Sequence, residues 1–204
     1  MYEGKSMPRR AWGGIMNVLF IDNFDSFTYN LVDELKRLGC DIRVYRNNIS
    51  MRELDKIVTG FRPRLIVISP GPSSPREAGI CIPLIRKYKG KVAMLGICLG
   101  HQCMIAAFEG IISKTVPVHG KKSEITHQNS AILDGIESPF FAGRYHSLYG
   151  AEIPAFFNVT AHVGEIPMAI ENNAARMFGL QFHPESILTA EGSRIIQNVI
   201  KVVQ

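Results

Sequence analysis

The sequence predicts an α/β fold: a single domain on a mostly parallel sheet, flanked by helices and extended by added antiparallel strands. Two observations carry this. In the first half, short apolar runs alternate with amphipathic segments, a β-α-β-α-β rhythm that puts helices on both faces of a parallel sheet. In the second half, residues 111–182 break into short strand-like pieces separated by Gly, Pro and Asn, which suits antiparallel additions. A length of 204 residues allows one domain with a sizeable core, and 46% hydrophobic with 20% charged residues is an ordinary globular balance.

The elements follow in order. Residues 1–15 lack periodicity and carry Lys5, Arg9 and Arg10 without an apolar core. They are not a secretory signal and read as an N-terminal extension, either a cloning remnant or an upstream in-frame start. The domain then spans 16–204, and its first buried strand covers residues 17–21. Ser26 is placed to cap a helix over 26–38, with Leu31, Leu35 and Leu38 on one face and Gly39 just past its end. Residues 40–45 read as a strand, 51–58 as a short helix, 65–68 as a strand and 77–88 as a helix, and the next strand, with the apolar run 92–95, ends at Gly96. A helix over 101–109 follows. Residues 140–145, 158–161 and 168–170 are strand-like. Thr189 is placed to cap a last helix whose apolar face is Ile195, Ile196, Val199, Ile200 and Val203.

Composition excludes several classes. The net charge of +5 is owed in part to the first fifteen residues, and the other basic residues are scattered among acidic ones. No basic stripe interleaved with aromatics points to nucleic acid. No apolar run reaches membrane-spanning length. The four cysteines, Cys40, Cys81, Cys98 and Cys103, have no framework spacing and no Cys-x-x-Cys pair, which favours free thiols in a reducing, cytoplasmic setting. Cysteines and histidines do not cluster as metal ligands, so zinc is not expected.

In parallel sheets, ligands sit outside the carboxyl ends of the strands. Three features fall there: residues 22–25, the Ser69-Pro70-Gly71-Pro72 loop and Cys98. Cys98 lies in Gly96-Ile97-Cys98-Leu99-Gly100-His101-Gln102, with a glycine two residues away on each side, at a strand-to-helix junction. This reads as a nucleophile elbow. The turn is too tight for side chains at the flanking positions, so the thiol is presented at the sheet edge beside backbone amides able to receive an oxyanion. The positive end of the following helix favours the thiolate. The base is sought in Gln181-Phe182-His183-Pro184-Glu185-Ser186. On an extended segment His183 and Glu185 share a face, so Glu185 orients His183 and His183 relays the thiol proton. The backbone N–H groups of Gly71 and Leu99 are the oxyanion donors expected. His101 is expected to pack at the helix start, His119, His127 and His162 to be loop or surface residues, and Cys40, Cys81 and Cys103 to be core.

These residues resemble class I glutamine amidotransferases, whose fold is flavodoxin-like. The matching segments run from Met16 to the C-terminus: residues 21–30, Ser69 to Pro72, Gly96 to Gln102, His119-Gly120-Lys121, Arg144-Tyr145-His146-Ser147-Leu148 and residues 181–189. Within the class, the chain is similar to the glutaminase subunits that serve chorismate-aminating synthases, making anthranilate or aminodeoxychorismate. The resemblance implies that Cys98, His183 and Glu185 hydrolyse L-glutamine through a glutamyl thioester. It implies that Gly71, Pro72, Ser73, Leu99, Gln102, Ser147 and Leu148 hold the substrate. The partner implied is a chorismate-binding synthase subunit, component I, and magnesium belongs to that partner, with no cofactor here. Two departures stand out. Ser73 replaces the usual glycine, at a cost of roughly 1 kcal/mol if the position needs positive φ, and the chain is short near Val163-Gly164-Glu165, trimming a hairpin. A catalytically silent relative and a lone cysteine protease are the competing readings. Retention of all three triad residues weighs against the first, and the glutamine-pocket residues weigh against the second.

Overall fold

Alternation along the first strand, β1 (Met16–Asp22), decides the architecture. Val18 and Phe20 enter one apolar cluster and Leu19 and Ile21 another, and all four are fully buried. A strand buried on both sides must be covered by helices on both sides. The computed structural model describes residues 15–128 and 130–204. The predicted extension over 1–15 therefore lies outside the described residues, apart from Ile15.

Five strands are parallel, in the order β2 (Cys40–Arg46), β1, β3 (Leu65–Ile68), β4 (Ala93–Ile97) and β11 (Met177–Leu180). The same sheet continues antiparallel through β10 (Ile166–Asn172), β9 (Asn158–Val163), β6 (Lys121–His127) and β7 (Phe140–Arg144). A separate antiparallel pair joins β5 (Ile111–Lys114) to β8 (Leu148–Glu152). Helices α1 (Thr28–Arg37) and α5 (Gly192–Val203) cover one face. Helices α2 (Met51–Phe61), α3 (Cys81–Tyr88) and α4 (Leu99–Ala107) cover the other. In α5 the predicted face of Ile195, Ile196, Val199, Ile200 and Val203 is buried, worth roughly 1.5–3 kcal/mol per side chain before entropy is subtracted. Cys40, Cys81 and Cys103 are core as expected. The short hairpin is also seen, since only Gly164 and Glu165 separate β9 from β10.

Four helix starts differ from expectation, that of α4 by two residues. Helix α1 begins at Thr28, and Ser26 does not cap it. Asp22 and Asp25 organise the entry instead: Asp22 Oδ1 accepts from the Asp25 amide at 3.3 Å and the Thr28 hydroxyl at 2.8 Å, and Asp25 Oδ2 accepts from the Phe27 amide at 2.8 Å. The helix predicted over 77–88 is split. Pro75–Glu77 is a 3₁₀ turn, Gly79 takes φ +52°, and α3 starts only at Cys81. Helix α5 starts at Gly192, three residues beyond Thr189. Among the described residues, no helix is long and apolar enough to cross a membrane.

Candidate active site

Strand β4 delivers Cys98 to the carboxyl edge of the sheet, as the elbow pattern predicts. Its φ of 51° and ψ of −101° belong to neither helix nor strand, a strain of about 1–3 kcal/mol that its surroundings must hold. The Cys98 amide donates to the Leu180 carbonyl at 2.7 Å, and the Cys98 carbonyl accepts from the Gln102 amide at 3.0 Å. The flanking glycines are steric necessities. A Cβ on Gly96 would lie 2.5 Å from the Gly100 carbonyl carbon, and one on Gly100 would run into the Ile68 carbonyl. Helix α4 starts at Leu99, two residues earlier than predicted, so the Leu99 amide falls in the first turn, at the helix's positive end.

His183 and Glu185 meet, but not as predicted. Residues 183–186 do not run extended; they form a turn in which the Ser186 amide donates to the His183 carbonyl at 3.2 Å. Pro184 occupies the second turn position, which its fixed φ favours. The turn brings His183 Nδ1 within 2.6 Å of Glu185 Oε1, with the two side chains 7% and 2% exposed. Nε2 is therefore the ring nitrogen that Glu185 leaves unengaged. It is buried without a hydrogen-bond partner among the described residues, and the Cys98 sulfur neighbours the ring. Burial pulls the imidazole down, but the Cys98 sulfur and the Glu185 carboxylate outweigh it and raise it above its ordinary value, to about 10.

The turn is anchored from β7. The His183 amide donates to the Gly143 carbonyl at 3.1 Å. The Thr189 hydroxyl donates to the His183 carbonyl at 2.7 Å and accepts from the Gly143 amide at 3.0 Å. This is the reason Thr189 is not a helix cap: its oxygen is already taken by Gly143 and His183. The Tyr145 ring stands edge-on to the imidazole at 5.0 Å, and its hydroxyl meets Ser186 Oγ at 3.1 Å. Phe27, Asn30 and Ile187 join Tyr145, His183, Glu185 and Ser186 around a hollow of about 140 Å³. Asp25 approaches the same histidine. Burial pushes its carboxyl up, against the pull of the Phe27 amide and of His183.

The loop after β3 lies against the elbow. A Cβ on Gly71 would sit 2.5 Å from the Asn23 Cβ and 3.1 Å from a Leu99 methyl, so Gly71 and Leu99 are neighbours. Ser73 takes φ +69°, the conformation its replacement of glycine raised as a cost. Gln102 Nε2 donates to the Leu148 carbonyl at 2.9 Å. Pro72, Ser73 and Ser147 are exposed, and among the described residues no hydrogen bond ties them to Cys98. His101 is fully buried at the start of α4 and His119 is exposed, as expected; His127 and His162 are half-buried on β6 and β9, not in loops. Among the described residues, no three His, Cys, Asp or Glu side chains are grouped to hold a metal.

The family model for glutamine amidotransferase class-I matches residues 19–202. The chain belongs to this family. It is similar to anthranilate synthase component 2 of Haemophilus influenzae, with 44% identity over 186 residues, covering 91% of this chain and 96% of that protein. The protein of the same name from Vibrio parahaemolyticus shows 41% identity over 91% of this chain and 95% of its own length. The bifunctional protein TrpGD of Thermotoga maritima shows 43% identity over 93% of this chain, which spans 33% of that longer protein. Among solved structures, a putative GMP synthase subunit from Thermoplasma acidophilum superposes with a TM-score of 0.81 at 23% identity, over 94% of this chain and 96% of that one. A Thermotoga maritima glutamine amidotransferase superposes at 0.67 with 15% identity, over 93% and 82%. These two show the fold.

Several residues that build this amidotransferase site lie in segments the sequence marks out but receive no role from residue type alone. Asn23 is the clearest. Its amide donates to Ser69 Oγ, and its Nδ2 donates to the Ser69 carbonyl, both at 2.8 Å; its Oδ1 accepts from Asn47 Nδ2 at 2.8 Å and from the Cys81 thiol at 3.1 Å. It thereby fixes the loop that carries Gly71. Gln181, Arg144 and His146 are also buried beside the site. The signal available was position: Asn23 stands just past β1, and Gln181 interrupts an apolar run just past β11.

Proposed function

We propose that the protein hydrolyses L-glutamine through Cys98, His183 and Glu185 and passes the ammonia to a chorismate-aminating synthase subunit, making anthranilate. The observation that carries this reading is the 2.6 Å bond from His183 Nδ1 to Glu185, which leaves Nε2 beside a cysteine held in an elbow. In the reading, Cys98 gives up its proton to His183 and its sulfur attacks the side-chain carbonyl carbon of glutamine. The amides of Gly71 and Leu99 receive the oxyanion. His183 returns the proton to the departing ammonia, leaving a glutamyl thioester. His183 then takes a proton from water, which attacks the thioester, and glutamate leaves as the sulfur is reprotonated. Gln102, Ser147, Leu148, Gly71, Pro72 and Ser73 surround the substrate. The subunit needs no cofactor, and magnesium belongs to the chorismate-binding partner. The similarity to anthranilate synthase component 2 over nine-tenths of the chain supports the pathway.

The test is Cys98→Ser in the complex with the synthase subunit. Glutamine-dependent amination of chorismate should disappear while ammonia-dependent amination persists. Full activity with glutamine would overturn the triad, and formation of aminodeoxychorismate instead of anthranilate would overturn the pathway.

A further inference from the structure

Beyond the three residues of the relay, a buried chain of hydrogen bonds runs from β7 to the sulfur of Cys98, and its direction is fixed by chemistry. It starts at Arg144, whose guanidinium has donors only. Arg144 Nε donates to His146 Nε2 at 3.0 Å, so that nitrogen must be the unprotonated one. His146 Nδ1 therefore carries the hydrogen and donates to the Leu148 carbonyl at 2.9 Å. The same carbonyl faces Gln102 at 2.9 Å, and a carbonyl can only accept. That end of Gln102 is thus its amino group, and its second contact, 3.1 Å to Gln181, must be to the Gln181 oxygen. The remaining end of Gln181 is then its amino group, which lies 3.7 Å from the Cys98 sulfur. Each flip and tautomer follows from the one before it.

The members are buried. Gln181 is fully enclosed, and Gln102, His146 and Arg144 are 3%, 4% and 6% exposed. Burial and the neighbouring Arg144 charge keep His146 below its ordinary value, at about 4, in accord with the neutral tautomer the chain requires. The Leu148 carbonyl has both lone pairs filled, and the Gln102 amino group has both hydrogens placed.

We infer that Gln181 is a further catalytic residue, donating its amide N–H to the Cys98 thiolate, and that Arg144 and His146 are positioning residues that set this donor through Leu148 and Gln102. The inference rests on the proposed role of Cys98 as nucleophile. An N–H···S bond to a buried thiolate stabilises the charged form. The chain also passes through Gln102 and Leu148, two residues assigned to the glutamine pocket, so the pocket wall and the nucleophile share one network. The other titratable groups that face Cys98 are His183 from the turn after β11 and Cys103 on α4, and both stay intact when Gln181 is changed.

The experiment is iodoacetamide alkylation of the full chain from pH 5 to 10, with each cysteine followed by peptide mass spectrometry. In the unmodified protein Cys98 should react before Cys40, Cys81 and Cys103; equal labelling of all four would sink the nucleophile reading itself. Gln181→Leu should slow Cys98 alkylation at pH 7 about tenfold and move its half-maximal pH upward by about one unit, with the high-pH plateau within about twofold. Gln181→Glu keeps the side-chain shape and the oxygen that accepts from Gln102 but replaces the donor with oxygen. It should slow alkylation further, and it decides the matter alone if the leucine variant does not fold. His146→Leu should move the profile the same way by a smaller amount. An unchanged profile in a folded Gln181 variant, while Cys98 remains the preferred site, overturns the inference and leaves the triad standing.

Discussion

Ser73 sits at φ +69° in the exposed loop that carries Gly71. A side chain in this region costs about 1–2 kcal/mol, part of which returns as entropy when glycine is restored. Ser73→Gly should therefore stabilise the fold by about 0.5–1 kcal/mol in urea unfolding, and a loss of stability would show that the hydroxyl is needed. At this scale the sequence was highly readable where chemistry is written in residue type. Cys98, His183 and Glu185 could be named because a thiol, an imidazole and a carboxylate each have few other reasons to sit at strand ends. Asn23 and Gln181 could not be assigned in the same way. A buried amide acts through its partners, and partners 46 and 83 residues away are invisible until the chain has folded.

Among the elements, the junction of β4 and α4 carries the tightest constraint. A methyl group on Gly100 would collide with the Ile68 carbonyl on the neighbouring strand. Backbone cannot yield as a flexible side chain can, so Gly100→Ala should cost about 2–4 kcal/mol, read as a lower denaturation midpoint. A variant within experimental error of wild type would mean that the helix shifts freely. Most elements were legible from periodicity, since Val18 and Phe20 against Leu19 and Ile21 already imply two covered faces. Helix starts were not. Ser26 and Thr189 both have the chemistry of caps, but α1 is entered through Asp22 and Asp25, and Thr189 is occupied by Gly143 and His183. A cap is a competition for one oxygen, and tertiary partners won it at position 189. The His183–Glu185 contact was predicted for the wrong reason, because Pro184 makes a turn where extension was expected.

Across the whole molecule, acid stability follows from buried imidazoles. His101 is fully enclosed with its Nδ1 close against Gly179, and burial holds it at about 3. Its folded value lies below its unfolded value of about 6.5. Above pH 6.5 neither state binds the proton and nothing changes. Below it the unfolded chain takes up a proton that the folded chain refuses, and stability falls by up to about 1.4 kcal/mol per pH unit. His101→Gln should flatten this decline, so the gap between the two proteins narrows from pH 6.5 toward pH 4. Parallel curves would show that His101 is protonated without cost in the fold. The global layout was readable from the alternation of apolar runs, but the order of the antiparallel strands, β10-β9-β6-β7, was not. Those strands pair with distant segments, and no local spacing records which edge each one joins.

Gln204, just past α5, offers its carbonyl to Arg64, just ahead of β3, at the end of the sheet opposite Cys98. Anything attached beyond that point grows away from the mouth of the site. An affinity tag, a surface tether or a second enzyme joined there starts from the far end of the sheet and leaves the hollow beside His183 open. The architecture thus lends itself to fusion at its base, and the longer bifunctional relative shows that this kind of domain does occur within larger chains.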